Sequence, residues 1–99
     1  MASTTPANAG DCAPGTGAID RAFDPAGHGA KSPEEAARSE SQSPYTFPAG
    51  DVRLVEGPSR QGEEWRQITV YRGAQMLRQY DLQPLTDGSW VVHRASVTC

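Results

Sequence analysis

Two turn dipeptides in the second half of the chain constrain the fold more than any other feature. Gly73-Ala74 places glycine first in a two-residue loop, as a type II′ turn requires, and Asp87-Gly88 is the pair that a type I′ turn prefers. Both lie between segments rich in β-branched and aromatic residues, so each predicts a β-hairpin. Together they predict an antiparallel meander of four strands, at 52–56, 63–72, 75–83 and 89–98.

The same turns predict which side chains share a face of the sheet, because directly opposed residues of an antiparallel pair point to the same side. With two-residue turns, Tyr71 opposes Met76, and Leu82 opposes both Trp65 and His93. The predicted core face then consists of Trp65, Tyr71, Met76, Tyr80, Leu82, Val91, His93, Ala95 and Val97.

The opposite face of this predicted sheet is mixed. Its charged members are Arg66, Asp81 and Arg94, with the two arginines on either side of the aspartate, and its apolar members are Ile68, Val70, Leu77, Leu85, Trp90 and Val92. An isolated sheet seldom exposes so much apolar surface. We therefore expect either another part of the chain or a partner to cover this face.

The first half of the chain predicts one short helix. Residues 32–35 read Ser-Pro-Glu-Glu, which is an N-cap followed by proline at the first helical position and glutamate at the third. We expect the helix to span 33–40 and to dock lightly, because its apolar face is alanine. Residues 17–23 predict a helical turn. Residues 1–17 have the small, polar composition of a flexible tail, which leaves a single domain at 18–99.

The predicted fold class is therefore α+β, with a short helix on a four-stranded antiparallel meander. The chain has 99 residues, of which 36% are hydrophobic, so its core is small. Cys12 and Cys99 lie near the two ends and predict a disulfide, which would restrict the unfolded chain by about 4–5 kcal/mol. A disulfide indicates an oxidising compartment, so we expect a secreted or cell-envelope protein. The first residues lack the basic and apolar segments of a signal peptide, and we expect the natural signal to have been removed.

Composition and charge exclude several classes of function. The net charge is −3, and the arginines are interleaved with twelve carboxylates, which is not the basic surface that nucleic acids require. The sequence contains no apolar run long enough to insert into a membrane. We expect a monomer whose partner is another protein.

The titratable residues do not form a catalytic or metal-binding motif. His93 is predicted as an ordinary histidine of the core face, and His28 has only Asp24 close to it in the sequence, which is too few donors for zinc. The adjacent acids Glu63 and Glu64 lie at the start of a predicted strand rather than across a cleft. The sequence also lacks a nucleophile elbow and a phosphate loop. We predict no enzymatic activity, no metal and no cofactor.

The candidate binding residues fall into two surfaces. Tyr45 and Phe47 lie in a proline-bounded loop, where aromatic side chains either anchor the loop on the sheet or form an exposed recognition tip. Trp90, Arg66 and Arg94 lie on the second face, where they either stabilise the sheet or contact a partner. These residues predict a non-catalytic, exported binding module.

The alternative function is a secreted inhibitor of a protease or another enzyme. Such inhibitors present a stiff loop from a braced scaffold. The loop at 57–62 is the candidate, with Arg60 as the side chain that would enter an acidic pocket.

The order of elements also resembles a group of known proteins. A tail containing Cys12 is followed by the helix start at 32–37 (SPEEAA) and by a closing strand that begins at 87–92 (DGSWVV). The chain has eight arginines and a single lysine, which is typical of high-GC genomes. In these respects it resembles small exported or lipoprotein-type domains of high-GC Gram-positive bacteria. The resemblance implies an exported compartment and no particular activity.

Overall fold

A computed structural model describes residues 17–97. They form one five-stranded antiparallel sheet with the strand order β1-β5-β4-β3-β2 and one short helix on one face. The elements are β1 (Gly17–Asp20), α1 (Pro33–Arg38), β2 (Arg53–Pro58), β3 (Arg66–Arg72), β4 (Gln75–Pro84) and β5 (Trp90–Val97). The α+β class is confirmed, but the sheet has five strands rather than four. Residues 1–16 of the predicted tail, which include Cys12, and Cys99 lie outside the described residues, whereas Gly17 begins β1.

The additional strand is β1, where the sequence predicted a helical turn. Ile19 opposes Ala95 of β5 and packs against the core, whereas Phe23 lies beyond the strand and is 37% exposed. An apolar pair at i and i+4 is too short a pattern to distinguish a helical turn from a strand. Here the edge of β5 supplies hydrogen-bond partners for the backbone of Gly17–Asp20, and this pairing makes the segment a strand and not a helical turn.

The first hairpin contains a β-bulge that changes the predicted register. Arg72 opposes Gln75 across the two-residue turn, as predicted, and Gly73 has a φ of +61°. Tyr71 opposes Met76, but Val70 then opposes Arg78, so that Leu77 is an extra residue in β4. Such a bulge shifts the pairing beyond it by one residue.

The second hairpin differs from the prediction in its turn and in its register. The Gly88 N–H donates to the Leu85 carbonyl at 3.0 Å, and Gly88 has a φ of +89°, so the glycine follows the turn instead of forming its centre. Further along, Leu82 opposes Val92 while Asp81 opposes Arg94, which leaves His93 as a second extra residue.

The two bulges decide the composition of the core. The buried cluster consists of Ile68, Val70, Tyr80, Leu82, Val92 and Ala95 from the sheet and Ala36 and Ala37 from α1. Tyr71, Met76 and Val91, which we predicted on the core face, lie on the opposite face. Ile68, Val70 and Val92, which we predicted on the second face, turn toward the helix, so another part of the chain covers them, which is one of the two alternatives expected from the sequence.

The helix begins as the sequence predicts. The Ser32 hydroxyl accepts a hydrogen bond from the Glu35 N–H at 3.1 Å, and Pro33 occupies the first helical position. The helix ends at Arg38, slightly earlier than predicted. Its two alanines are buried, so the helix lies close to the sheet.

Candidate functional site

An open groove of about 560 Å³ lies between the outer edge of β5, the chain that follows β1 and the end of α1. We call it the β5 groove. The residues that characterise it are Arg21, Phe23, Ala30, Glu40, Trp90 and Val92.

The β5 groove exists because the chain leaves the sheet after β1 and returns further along. The Arg21 N–H still bonds to the His93 carbonyl at 2.7 Å. The chain then departs and rejoins the edge at Ala30, whose N–H and carbonyl both bond to Trp90 at 2.8 Å. Between these two points, no described strand pairs with the outer edge of β5, and the groove opens there.

Hydrogen bonds to the β4–β5 turn hold the returning chain in place. The Thr86 N–H donates to the Pro25 carbonyl and the Gly29 N–H to the Ser89 hydroxyl, each at 2.8 Å. A Cβ added at Gly29 would lie 2.2 Å from the Trp90 carbonyl oxygen, so only glycine allows this approach. One wall of the groove is thereby fixed.

A hydrogen bond between two side chains next to this wall also joins the loop to the turn. His28 Nδ1 lies 2.8 Å from a carboxylate oxygen of Asp87. Hydrogen bonds from the Ser89 hydroxyl, then from His28 and the Ser89 N–H, lower the pKa of Asp87 to about 2. The side chain of His28 is 85% exposed, so this pair is a surface contact.

A partly buried ion pair crosses the floor of the groove. Both terminal nitrogens of Arg21 bond to Glu40, at 2.6 and 2.7 Å, and one also bonds to Gln42 Oε1 at 2.8 Å. Burial alone would raise the pKa of Glu40, but hydrogen bonds from Arg21 and from backbone N–H groups outweigh it, so the pKa lies below its usual value. The Arg21 pKa is raised, chiefly by its hydrogen bonds to Glu40. Both side chains are therefore ionised, and their charges cancel.

The lining of the groove is as polar as it is apolar. Phe23, Trp90, Ala30 and Ala36 are among its apolar residues, and Ser39, Ser41 and Gln42 add polar groups to those of Arg21 and Glu40. Phe23 is one of two large hydrophobic side chains that are exposed in the described chain, the other being Val55 at 44%. The arrangement offers apolar contact above a neutralised ion pair.

Tyr45 and Phe47, the predicted loop aromatics, both pack against the core. The Tyr80 hydroxyl donates to the Tyr45 carbonyl at 2.7 Å, and the Phe47 ring stacks on Tyr80 with centroids 6.2 Å apart. Arg78 adds a bond from Nε to the Thr46 carbonyl at 3.1 Å. Tyr80 is fully buried, and this burial raises the pKa of its phenol. These contacts anchor the loop on the sheet.

The two predicted arginines of the second face lie apart from each other. Arg94 opposes Asp81 as predicted, but its guanidinium bonds to Asp20 at 2.8 Å. Arg66 opposes Leu82 rather than Asp81, because of the bulge in β4, and pairs with Glu56 at 2.9 Å. Of the candidate residues on that predicted face, Trp90 is the one that lines the β5 groove.

The loop that carries Arg60 is braced on both sides while Arg60 itself is exposed. The Ser59 hydroxyl donates to the buried Asp81 carboxylate at 2.7 Å and accepts from the Gln61 N–H at 3.0 Å. The Ser59 N–H donates to the Trp65 carbonyl at 3.2 Å. This bracing leaves Arg60 as the side chain at the tip.

His93 does not occupy the position predicted on the core face. It lies at the bulge in β5, where its ring meets Trp65 edge-on with centroids 4.7 Å apart. In the described part of the chain, no group of three or more His, Cys, Asp or Glu side chains is placed to hold a metal ion. None of the helices described is long and apolar enough to cross a membrane.

Comparison with protein-family models, with curated proteins and with solved structures gave no match to this chain. From the sequence, Phe23 was predicted only as part of a helical turn at residues 17–23, and Arg21 and Glu40 were not identified as a pair. Nineteen positions separate these two ionised residues, and no local pattern relates them. The two residues meet in one groove because the chain leaves the sheet after β1 and rejoins its edge at Ala30.

Proposed function

We propose that this protein is a non-catalytic binding module that holds another protein in the β5 groove. The observation that carries the proposal is a groove of about 560 Å³ beside a large exposed apolar side chain, Phe23. Aromatic side chains next to a partly buried pocket are the usual anchors of protein interfaces. The groove residues are engaged with one another, an arrangement that suits binding better than catalysis.

The proposal is tested by retention of partners on the immobilised protein. We would apply extracellular proteins from a high-GC Gram-positive culture to the wild type, to Phe23→Ser and to Val55→Ser. Val55 is the matched control because it is also apolar and exposed but lies on β2, away from the groove. The expected result is a discrete protein that wild type and Val55→Ser retain and that Phe23→Ser loses. Equal retention by all three would refute the groove as the binding surface.

The proposed compartment is the extracellular space or the cell envelope, and the reason for it is a proposed Cys12–Cys99 disulfide, which persists in an oxidising compartment. The pairing of Gly17 with Val97 supports this, because the two cysteines are only five and two residues away from that pair along the chain. Alkylation under denaturing conditions without reductant should therefore modify neither thiol in the mass spectrum. Modification of both would remove the argument for export.

The inhibitor remains a second candidate function, and the bracing of the Arg60 loop favours it. Preorganised loops bind with less loss of conformational entropy, and a basic side chain at the tip suits a protease with an acidic specificity pocket. Inhibition of trypsin by the wild type, and its loss in Arg60→Ala, would support this function. Cleavage after Arg60 without inhibition would exclude it.

A further inference from the structure

The backbone of β5 gives the groove a polar edge that suits a peptide. Trp90 directs its N–H and carbonyl outward to Ala30. Because backbone groups alternate along a strand, the N–H and carbonyl of Val92 point to the same side. Arg21 Nη1 donates a hydrogen bond to the Val92 carbonyl oxygen at 3.4 Å, which agrees with this orientation and uses one lone pair of that oxygen. The groove therefore offers the Val92 N–H as a donor and the second lone pair of its carbonyl oxygen as an acceptor.

The length of this open edge limits what binds to it. Ala30 pairs with Trp90 on one side, and Arg21 bonds to His93 on the other. Only Val91 and Val92 remain between these two paired positions, so a long strand of a partner does not fit on the open edge. A single residue of a partner, together with the peptide groups on either side of it, does fit there.

The charges of the groove select an uncharged occupant. Arg21 and Glu40 are bound to each other by two short hydrogen bonds, and Glu40 is only 7% exposed. A charged ligand would have to compete for one member of this pair; an anion that took Arg21 would leave the buried Glu40 carboxylate without its counterion, which is unfavourable. The aromatic walls favour a large apolar side chain.

We infer that the β5 groove binds one bulky, uncharged apolar residue of a partner protein, Phe or Leu in character, through its side chain and through peptide hydrogen bonds to Val92. The volume of about 560 Å³ lies within the usual range of about 300–1,000 Å³ for ligand sites. This inference rests on the proposed function and specifies what the partner presents to the groove.

The test uses capped amino acids as probes and two-dimensional amide NMR of the labelled protein. N-acetyl-phenylalaninamide and N-acetyl-leucinamide should produce saturable shifts at the Val92 amide and at the Trp90 indole N–H. N-acetyl-serinamide and the N-acetyl amide of glutamate should produce much smaller ones. The methyl ester of N-acetyl-phenylalanine lacks the terminal N–H donor and should bind about three- to tenfold more weakly.

The matched variants are again Phe23→Ser, which should weaken binding of N-acetyl-phenylalaninamide, and Val55→Ser, which should leave it unchanged. Shifts that are absent from the groove, or equal for all four amides, would overturn the inference. Retention of a partner that depends on Phe23, combined with no response to the probes, would leave the proposed function standing and refute this ligand chemistry. Probe binding without any retained partner would support this ligand chemistry and refute the proposed function.

Discussion

The Arg21–Glu40 pair allows a quantitative test of how the floor of the groove is held. Glu40→Gln removes the negative charge and leaves the partly buried guanidinium of Arg21 without its counterion. Removing one member of a fully buried pair costs about 3–5 kcal/mol, whereas an exposed pair contributes about 0.2–1 kcal/mol. The side chain of Glu40 is 5% exposed but that of Arg21 is 23% exposed, so water can partly solvate the orphaned cation. We expect a loss of about 2 kcal/mol in the free energy of unfolding.

The assay is urea unfolding at pH 7, followed by tryptophan fluorescence, together with a thermal melt. For a domain of this size, about 2 kcal/mol corresponds to a fall of about 8–16 °C in Tm. The control is Glu34→Gln, because Glu34 also bonds to an arginine, Arg38, at 2.8 Å, with side chains that are 56% and 50% exposed. This variant should lose less than about 0.5 kcal/mol. Equal losses in the two variants would refute the argument from burial.

The same pair predicts a dependence of stability on pH. The pKa of Glu40 in the folded protein lies below its usual value of 4.5, so the folded state binds its proton less readily than the unfolded state. The stabilisation is therefore complete above that usual value and is lost as the pH falls through the lower, folded pKa. The difference in unfolding free energy between wild type and Glu40→Gln should shrink below about pH 4.5. A difference that grows as the pH falls would contradict the assigned direction of the shift.

Two further substitutions test the contacts around the groove and the anchored loop. Gly29→Ala should destabilise the protein by about 1–3 kcal/mol in urea unfolding, because the added Cβ would overlap the Trp90 carbonyl. Gly57→Ala is the control, since a Cβ at that position meets nothing within 4 Å and should not lower the stability. Equal stability of both variants would contradict this reasoning. Tyr80→Phe should cost about 1–2 kcal/mol, because the Tyr45 carbonyl loses its donor, and a neutral result would show that this hydrogen bond does not anchor the loop.

The local signals in the sequence predicted those parts of the fold that depend on a few adjacent residues. The Ser32 cap and the Gly73-Ala74 turn are of this kind, because their hydrogen bonds and backbone angles are set within four residues. The bulges at Leu77 and His93 were not predictable in this way, since one extra residue in a strand is stabilised by packing across the whole sheet.

The apolar side chains of the predicted second face contained a clue to those bulges. Ile68, Val70 and Val92 left more apolar surface on that face than a sheet exposes, and a one-residue shift places all three in the core. The β5 groove had no comparable signal. Phe23 is exposed only because the chain leaves the sheet before reaching it, and nothing in residues 21–30 marks that departure as a binding site.

The most direct test of the central claim is photo-crosslinking from two positions of the same protein. A photo-reactive phenylalanine analogue replaces Phe23 in one preparation and Arg60 in the other, and each is irradiated with the same extracellular proteins. We expect a discrete adduct from position 23 that excess unlabelled protein abolishes, and none from position 60. An adduct from position 60 alone would contradict the groove as the binding surface and favour the inhibitor loop.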